Sequence, residues 1–291
     1  MHGVLVIDKP SGPTSFDVVR RVRSALKVKK AGHTGTLDPM ATGVLPVCLG
    51  DATKVAGYIT EGDKTYEAVV RLGQTTDTLD AEGKVLAESP IPVLRAAELE
   101  AVLTTFRGKQ LQTPPMYSAV KVGGKRLYEL ARSGAEIARA ARPVEVYELS
   151  VRDFSASELR LTVRCSKGFF VRVLAAELGE KLGCGAHLKA LRRLQSGPFT
   201  LAQALPLEKV EALAASSQGL AELAGRLVPV EEALAELPAF GVSAADAVKV
   251  THGVPLEAAA TGRVRVVGPN GRLLAIADVE RGRLKYRRVL A

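Results

Sequence analysis

No uninterrupted apolar run in the 291-residue chain approaches the roughly 20 residues that carry a helix across a bilayer. The start, Met1-His2-Gly3-Val4-Leu5-Val6-Ile7-Asp8-Lys9, lacks the charged, apolar and small-residue layout of a secretory signal, so a cytoplasmic protein is expected. Cysteine is scarce. Cys48, Cys165 and Cys184 are too few and too scattered for a disulfide framework, and no Cys-x-x-Cys pair exists to hold zinc; they read as core thiols. There is no internal repeat and no low-complexity stretch. Acidic residues are in deficit, 31 against 40 Lys and Arg, giving a formal charge of +9 and a pI near 9.5. That balance suits a polyanionic partner, because each cation set beside a phosphate releases a condensed counterion. Charge alone does not separate a nucleic-acid binder from an ordinary basic protein. With 47% hydrophobic and 24% charged residues the composition is globular, and the length accommodates one large domain and a small one.

Val4-Leu5-Val6-Ile7 reads as a buried strand. Thr14 can cap a helix with Asp17 at its third position, and Val18, Val19, Val22 and Leu26 keep helical spacing. From Lys29 to Gly43, glycines, threonines and prolines interrupt every period; a loop this long inside a compact domain is often functional. Val44–Leu49 and Tyr66–Leu72 read as strands, the second followed by a polar, turn-rich segment from Gly73 to Gly83. A helix is expected over Ala96–Phe106, a short one over Arg126–Arg132 closed by Gly134, and an antiparallel strand pair over Val144–Phe154 and Glu158–Cys165. Val171–Leu182 has helical spacing, and His187–Leu194 reads as a short, basic helix. Gln203–Leu237 reads as Ala- and Leu-rich helix up to Pro238. After a helix begun by Ser243, turn signals at Pro269-Asn270-Gly271 and Glu280-Arg281-Gly282 punctuate three short strands. This tail carries Arg263, Arg265, Arg272, Arg281, Arg283, Lys285, Arg287 and Arg288 against Asp278 and Glu280, which favours phosphate contact.

The segment Gly32-His33-Thr34-Gly35-Thr36-Leu37-Asp38-Pro39 places a carboxylate in tight, irregular backbone, as a catalytic loop requires. By composition alone Asp38 would pass for a turn or cap residue, and His33 for a loop histidine meeting a local hydrogen bond. The chain resembles the bacterial TruB tRNA pseudouridine-55 synthases, relatives of the Cbf5/dyskerin enzymes. The likeness runs through Gly3 to Ser15, Lys30 to Leu45, Lys64-Thr65-Tyr66, Gly73 to Thr78, Pro115 to Lys121, Cys165 to Arg172 and Gly183 to Leu194, in the family's order.

The resemblance implies a reaction in which uridine loses its N1–C1′ bond, turns in place and is rejoined through C5 with loss of the C5 proton. No electrons are exchanged, so neither a metal nor another cofactor is expected. Asp38 is the implied catalytic carboxylate, already ionised at an ordinary pKa of about 3.9. Burial would raise that value, and Arg172, the implied partner, would oppose the rise. Tyr66 is the implied stacking partner of the flipped base and a candidate for proton transfer. Phe170 stands where relatives carry tyrosine, so a stacking or wall role can persist there but a phenol hydrogen bond cannot. Leu191 matches a pocket leucine, His33 a contact to the opened T loop, and Lys9 and Pro10 a support of the catalytic loop. Lys64, Lys121, Lys125, Arg126, Arg192 and Arg193 are phosphate-contact candidates as an ensemble.

The expected fold is α+β: a catalytic domain over residues 1–235 on a mixed, largely antiparallel sheet, then a small β-rich, PUA-like RNA-binding domain over 236–291. The implied partner is tRNA, bound by a monomer with no obligate protein partner and no membrane. Two rivals stand beside this: an RNA-folding chaperone without catalysis, and a guide-RNA-dependent synthase of the Cbf5 type.

Overall fold

The structure, a computed structural model, describes residues 1–132 and 137–290. The main sheet has a path of eight strands: β1 (Gly3–Lys9), β2 (Thr42–Leu49), β3 (Lys64–Leu72), β4 (Gly108–Gln112), β5 (Arg142–Phe154), β6 (Glu158–Cys165), β7 (Ala186–Ser196) and β8 (Leu205–Pro206), in spatial order β8-β1-β2-β7-β3-β6-β5-β4. Only the β1/β8 and β2/β7 neighbours on that path are parallel, so the sheet is mixed and largely antiparallel. Period-2 alternation decides its faces. Leu5, Ile7, Leu45, Val47, Tyr66, Ala68 and Val70 turn to one side and join the main core beneath helices α1 (Ser15–Ala25), α2 (Ala96–Thr104) and α3 (Val171–Lys181). Val4, Val6, Val44 and Cys48 turn to the other and join a second cluster with Phe199, Ala233 and Leu234, to which Leu273 and Ile276 of the C-terminal sheet also belong. That second sheet contains the three expected strands, Gly262–Val267, Leu273–Glu280 and Arg283–Val289, and a short parallel strand, Ala239–Gly241, on its edge. The α+β class and the antiparallel pair β5/β6 follow the expectation.

Two expected helices are corrected. His187–Leu194 is not helical: it lies within β7, paired along β3 from Ala186↔Leu72 to Ser196↔Lys64. Register shifts between Leu188 and Ala190 and between Arg193 and Gln195 break the strict alternation, so Leu188, Leu191 and Leu194 fall three apart and imitate a helix. Gln203–Leu237 is not one helix but three, Leu207–Ala214, Ser217–Gly225 and Val230–Ala233, after strand β8. The Ser216 side chain caps the second by accepting from the Gly219 N–H, and the third begins after Pro229, which makes no side-chain cap. The short helix is described as Leu127–Arg132; the expected stop at Gly134 and the Arg126 side chain lie outside the described residues.

One close approach fixes the sheet beside the Asp38 loop. Gly43 has φ +100°, and a Cβ there would meet the Arg193 carbonyl oxygen at 2.2 Å, so only glycine lets β2 and β7 run side by side. All three cysteines are buried and unbridged, and burial pushes the Cys48 and Cys165 thiols up to about 12.

Candidate active site

The Asp38 loop is held by buried side chains that serve its backbone. Ser15, the first residue of α1, donates through its hydroxyl to the Leu37 carbonyl (2.9 Å) and accepts from the Leu37 N–H (2.8 Å). The helix that carries Ser15 is itself fixed by a reciprocal cap between Thr14 and Asp17. Lys9, at the end of β1 and fully buried, donates from Nζ to the carbonyls of Pro10 (2.9 Å), Pro39 (2.9 Å) and Ala41 (2.8 Å). From the opposite side the buried Arg193 guanidinium donates to the carbonyls of Val44 (2.7 Å) and Gly35 (3.1 Å). Asp38 is therefore displayed by a loop whose backbone is tied on both flanks.

Its carboxylate meets Arg172, the second residue of α3. Arg172 Nε stands 2.9 Å from Asp38 Oδ2 and its Nη2 donates to Oδ1 at 3.3 Å, a two-pronged grip. A cation at a helix N-terminus is disfavoured by the helix dipole, so this position calls for acidic company. Arg172 has it twice over: Nη1 is 3.3 Å from Asp80 Oδ2, and the guanidinium also donates to the carbonyls of Thr78 (3.0 Å) and Tyr117 (2.7 Å). Asp80 is in turn held by the Thr78 hydroxyl (2.6 Å) and the Glu82 N–H (3.1 Å).

The Asp38 side chain keeps 32% exposure, onto a cavity of about 540 Å³. His33, Thr36, Thr78, Asp80, Glu82 and Arg172 also line it, with the aromatic rings of Phe16, Tyr117 and Tyr128. Protein closes the remaining sides. Desolvation therefore raises the Asp38 carboxyl above the usual carboxylate range, with Asp80 adding to the rise and Arg172 and Lys9 opposing it. Burial, with Asp80 and Asp38 adding to it, likewise raises the Glu82 carboxyl.

The structure brings Asp38, Arg172 and His33 to this one cavity; the His33 ring is oriented by the Gly35 N–H donating to Nδ1 at 3.3 Å. Tyr66, Phe170 and Leu191 are not among its lining residues. Tyr66 is buried on β3, opposite Arg193 across the strand pair; burial pushes its phenol up, Arg193 opposes the shift and Asp38 adds to it. Leu191 lies on β7, buried, at the edge of a neighbouring cavity shared with Met40 and Thr42. Phe170 precedes α3, its N–H and C=O both bound to the buried Gln112 amide (2.7 and 3.2 Å). Pro10 supplies one of the carbonyls that Lys9 holds.

Several expected phosphate contacts are internal instead. Arg193 is 1% exposed and spends its donors on loop carbonyls, and Lys64 is buried with Nζ donating to the carbonyls of Thr60 and Gly62. Arg192 remains half-exposed but pairs with Asp8 at 2.8 Å. In the tail, Arg265 donates to the carbonyls of Leu237 and Glu231, Arg263 and Arg287 share Asp278, and Lys285 pairs with Glu280. Arg272, Arg281, Arg283 and Arg288 stay exposed. Asp80 was not singled out by sequence; its signal was only a carboxylate in the polar turn before Gly83.

Lys9 yields a pH expectation. Burial lowers its ammonium to about 8, against about 10.4 for a solvated lysine. Through that window the unfolded chain holds more protons, so this group makes the fold more stable, not less, as pH rises. The neutral amine has one donor fewer for its three carbonyls. Activity should thus fall on the alkaline side with a midpoint near 8 while the contribution of Lys9 to the melting temperature does not fall. The check is to record pH–rate and pH–melting curves together; Lys9→Met should lower activity about tenfold or more and remove that limb. A limb persisting in the variant would refute the assignment.

Residues 23–171 match the family model described as TruB family pseudouridylate synthase (N terminal domain), and residues 172–235 match the tRNA pseudouridylate synthase B C-terminal domain. The chain is 46% identical over 295 residues to tRNA pseudouridine synthase B of Stutzerimonas stutzeri, covering 100% of this chain and 96% of that protein. It is 42% identical over 300 residues to the Salmonella arizonae protein of the same name, covering 100% and 95%. Among solved structures, a chain of a Cbf5-Nop10-Gar1 complex superposes with a TM-score of 0.78 at 26% identity, covering 100% of this chain and 85% of that one.

Proposed function

Because the chain belongs to the TruB family of pseudouridylate synthases, we propose that it isomerises the T-loop uridine of tRNA to pseudouridine with Asp38 as nucleophile. The coarser reading, an isomerase that makes pseudouridine in tRNA, rests on full-length relatives of that name. The observation that carries the finer one is the Asp38–Arg172 pair at 2.9 Å, open to a cavity that an RNA base can enter.

The target uridine leaves its stack, at a cost of a few kcal/mol, and lies over the Asp38 loop. The Asp38 carboxylate forms a bond to C1′ as the N1–C1′ bond breaks, and the uracil leaves as its anion. The base turns, C5 bonds to C1′, and the carboxylate is released; the C5 proton departs and N1 gains one, so the product is an isomer. Arg172 keeps Asp38 ionised and aimed, since a buried guanidinium stays charged. Tyr66, Leu191 and Phe170 lie outside the lining of the Asp38 cavity, so the stacking, pocket and wall roles proposed for them rest on the family likeness alone. His33 contacts the loop vacated by the base. A monomer suffices, and residues 236–291 act as an RNA-contacting domain through Arg272, Arg281, Arg283 and Arg288.

The test is release of tritium from tRNA labelled at uridine C5. The pure chain should release one equivalent per tRNA from the T loop and none when that uridine is replaced by cytidine. Release that survives the replacement undiminished refutes the substrate; no release without a guide RNA or protein partner would favour a guide-dependent enzyme, the reading that the likeness to Cbf5 supports.

A further inference from the structure

The chain has no tryptophan, seven phenylalanines and six tyrosines, yet Phe16, Tyr117 and Tyr128 all line the Asp38 cavity. Phe16 is the exception among them in exposure: 70% of it faces solvent. It is the second residue of α1, whose opposite face buries Val18, Val19 and Val22 in the core. Other large hydrophobics are exposed singly, Val93 and Leu111 among them, but of those exposed among the described residues Phe16 alone lines this cavity. Arg20 and Arg23 follow Phe16 at i+4 and i+7, so ring and cations form one stripe leading away from the cavity over about 10 Å at 1.5 Å per residue. Arg20 is 65% exposed, and its contact with Asp17 (3.0 Å) is a surface pair of little strength that a phosphate can displace. An exposed ring at a cavity mouth, continued by cations, matches the chemistry of an opened RNA strand: every base has a π-face, and every linkage an anion.

Resting on the proposed function, we propose that the outer face of α1 is a second RNA subsite. Phe16 stacks on a nucleobase neighbouring the flipped uridine, and Arg20 and Arg23 hold the phosphates that follow it. A phenyl ring stacks without reading hydrogen bonds, so this subsite holds the strand open and adds affinity with little sequence preference.

The experiment is equilibrium binding of transcribed tRNA to the full-length chain across a salt series, with steady-state kinetics on the same tRNA. Phe16 is exposed, so Phe16→Ala should fold as the parent does, which its melting temperature reports. Phe16→Ala is expected to raise Kd and KM about tenfold, with kcat falling much less, and Phe16→Trp to restore affinity. The double variant Arg20→Gln with Arg23→Gln should make the slope of log K against log salt shallower by between 1 and 2, roughly one per lost phosphate contact. A Kd for Phe16→Ala within about twofold of the parent, or an unchanged slope in the double variant, overturns the subsite. Pseudouridine formed by the parent reports separately on the isomerase: product with Phe16-independent binding sinks the subsite alone, whereas Phe16-dependent binding without product sinks the isomerase reading and upholds the subsite.

Discussion

Asp38→Asn is expected to abolish isomerisation while leaving the fold and tRNA binding in place. The loss should be at least about 10³-fold in kcat, or roughly 4 kcal/mol of barrier, because an amide neither attacks C1′ as a carboxylate does nor leaves as one. The fold should survive because Arg172 keeps Asp80 at 3.3 Å and the carbonyls of Thr78 and Tyr117. The sign of the pKa shift supports this. An acid held above its unfolded value is less favourable as a charge in the folded chain at neutral pH, so removing that charge should not lower the melting temperature. In the parent the ionised form is the reactive one, and kcat/KM should fall with acid through a midpoint above the ordinary carboxylate value of about 3.9. Substantial turnover by the variant, or an acid midpoint below that value, contradicts the nucleophile.

Removing Arg172 should do damage of the same order by a different route. The residue is 4% exposed and stands between two carboxylates, Asp38 and Asp80, the second nearly as buried as itself. Without the guanidinium these are like charges facing each other in a desolvated site, and breaking a buried pair by deleting one partner typically destabilises by about 3–5 kcal/mol. The carboxylates would relieve the repulsion by taking up a proton, which also disarms the nucleophile. Arg172→Ala should thus melt well below the parent and lose at least about 10²-fold in activity. Arg172→Lys separates the two effects: it retains a charge but cannot reproduce the fork or the contacts to Thr78 and Tyr117, so it should fold better than the alanine variant and stay impaired, with its acid limb moved to higher pH. Full activity in Arg172→Lys, or an acid limb unmoved, would show that the guanidinium does not set the ionisation of Asp38.

Much of the site was legible because its residues sit in contiguous motifs. The capped start of α1 and the strands before and after the Asp38 segment follow from local spacing and turn chemistry, and the structure shows them; the loop expected from Lys29 to Gly43 is shorter, because Ala31–His33 pairs as a strand on Val47–Leu49 and β2 already begins at Thr42. The partnership of Asp38 with Arg172 spans 134 positions and came from family likeness; no local pattern encodes it. β7 imitates a helix in sequence because its bulges put leucines three apart, and the bulges show only in its pairing with β3. Arg193 and Lys64 look from sequence like surface cations. Only packing reveals that loop carbonyls take their donors, since a buried charge is satisfied by geometry that composition cannot show. Asp80 was missed for the same reason: in a polar turn a second carboxylate is unremarkable until Arg172 is seen between it and Asp38.

The measurement that bears most directly on the central claim is site-by-site mapping of pseudouridine in transcribed tRNA incubated with the pure chain, alongside Asp38→Asn. The account predicts a single modified site, the T-loop uridine, with the parent and none with the variant. Modification confined to positions outside the T loop, or equal modification by both proteins, would contradict it.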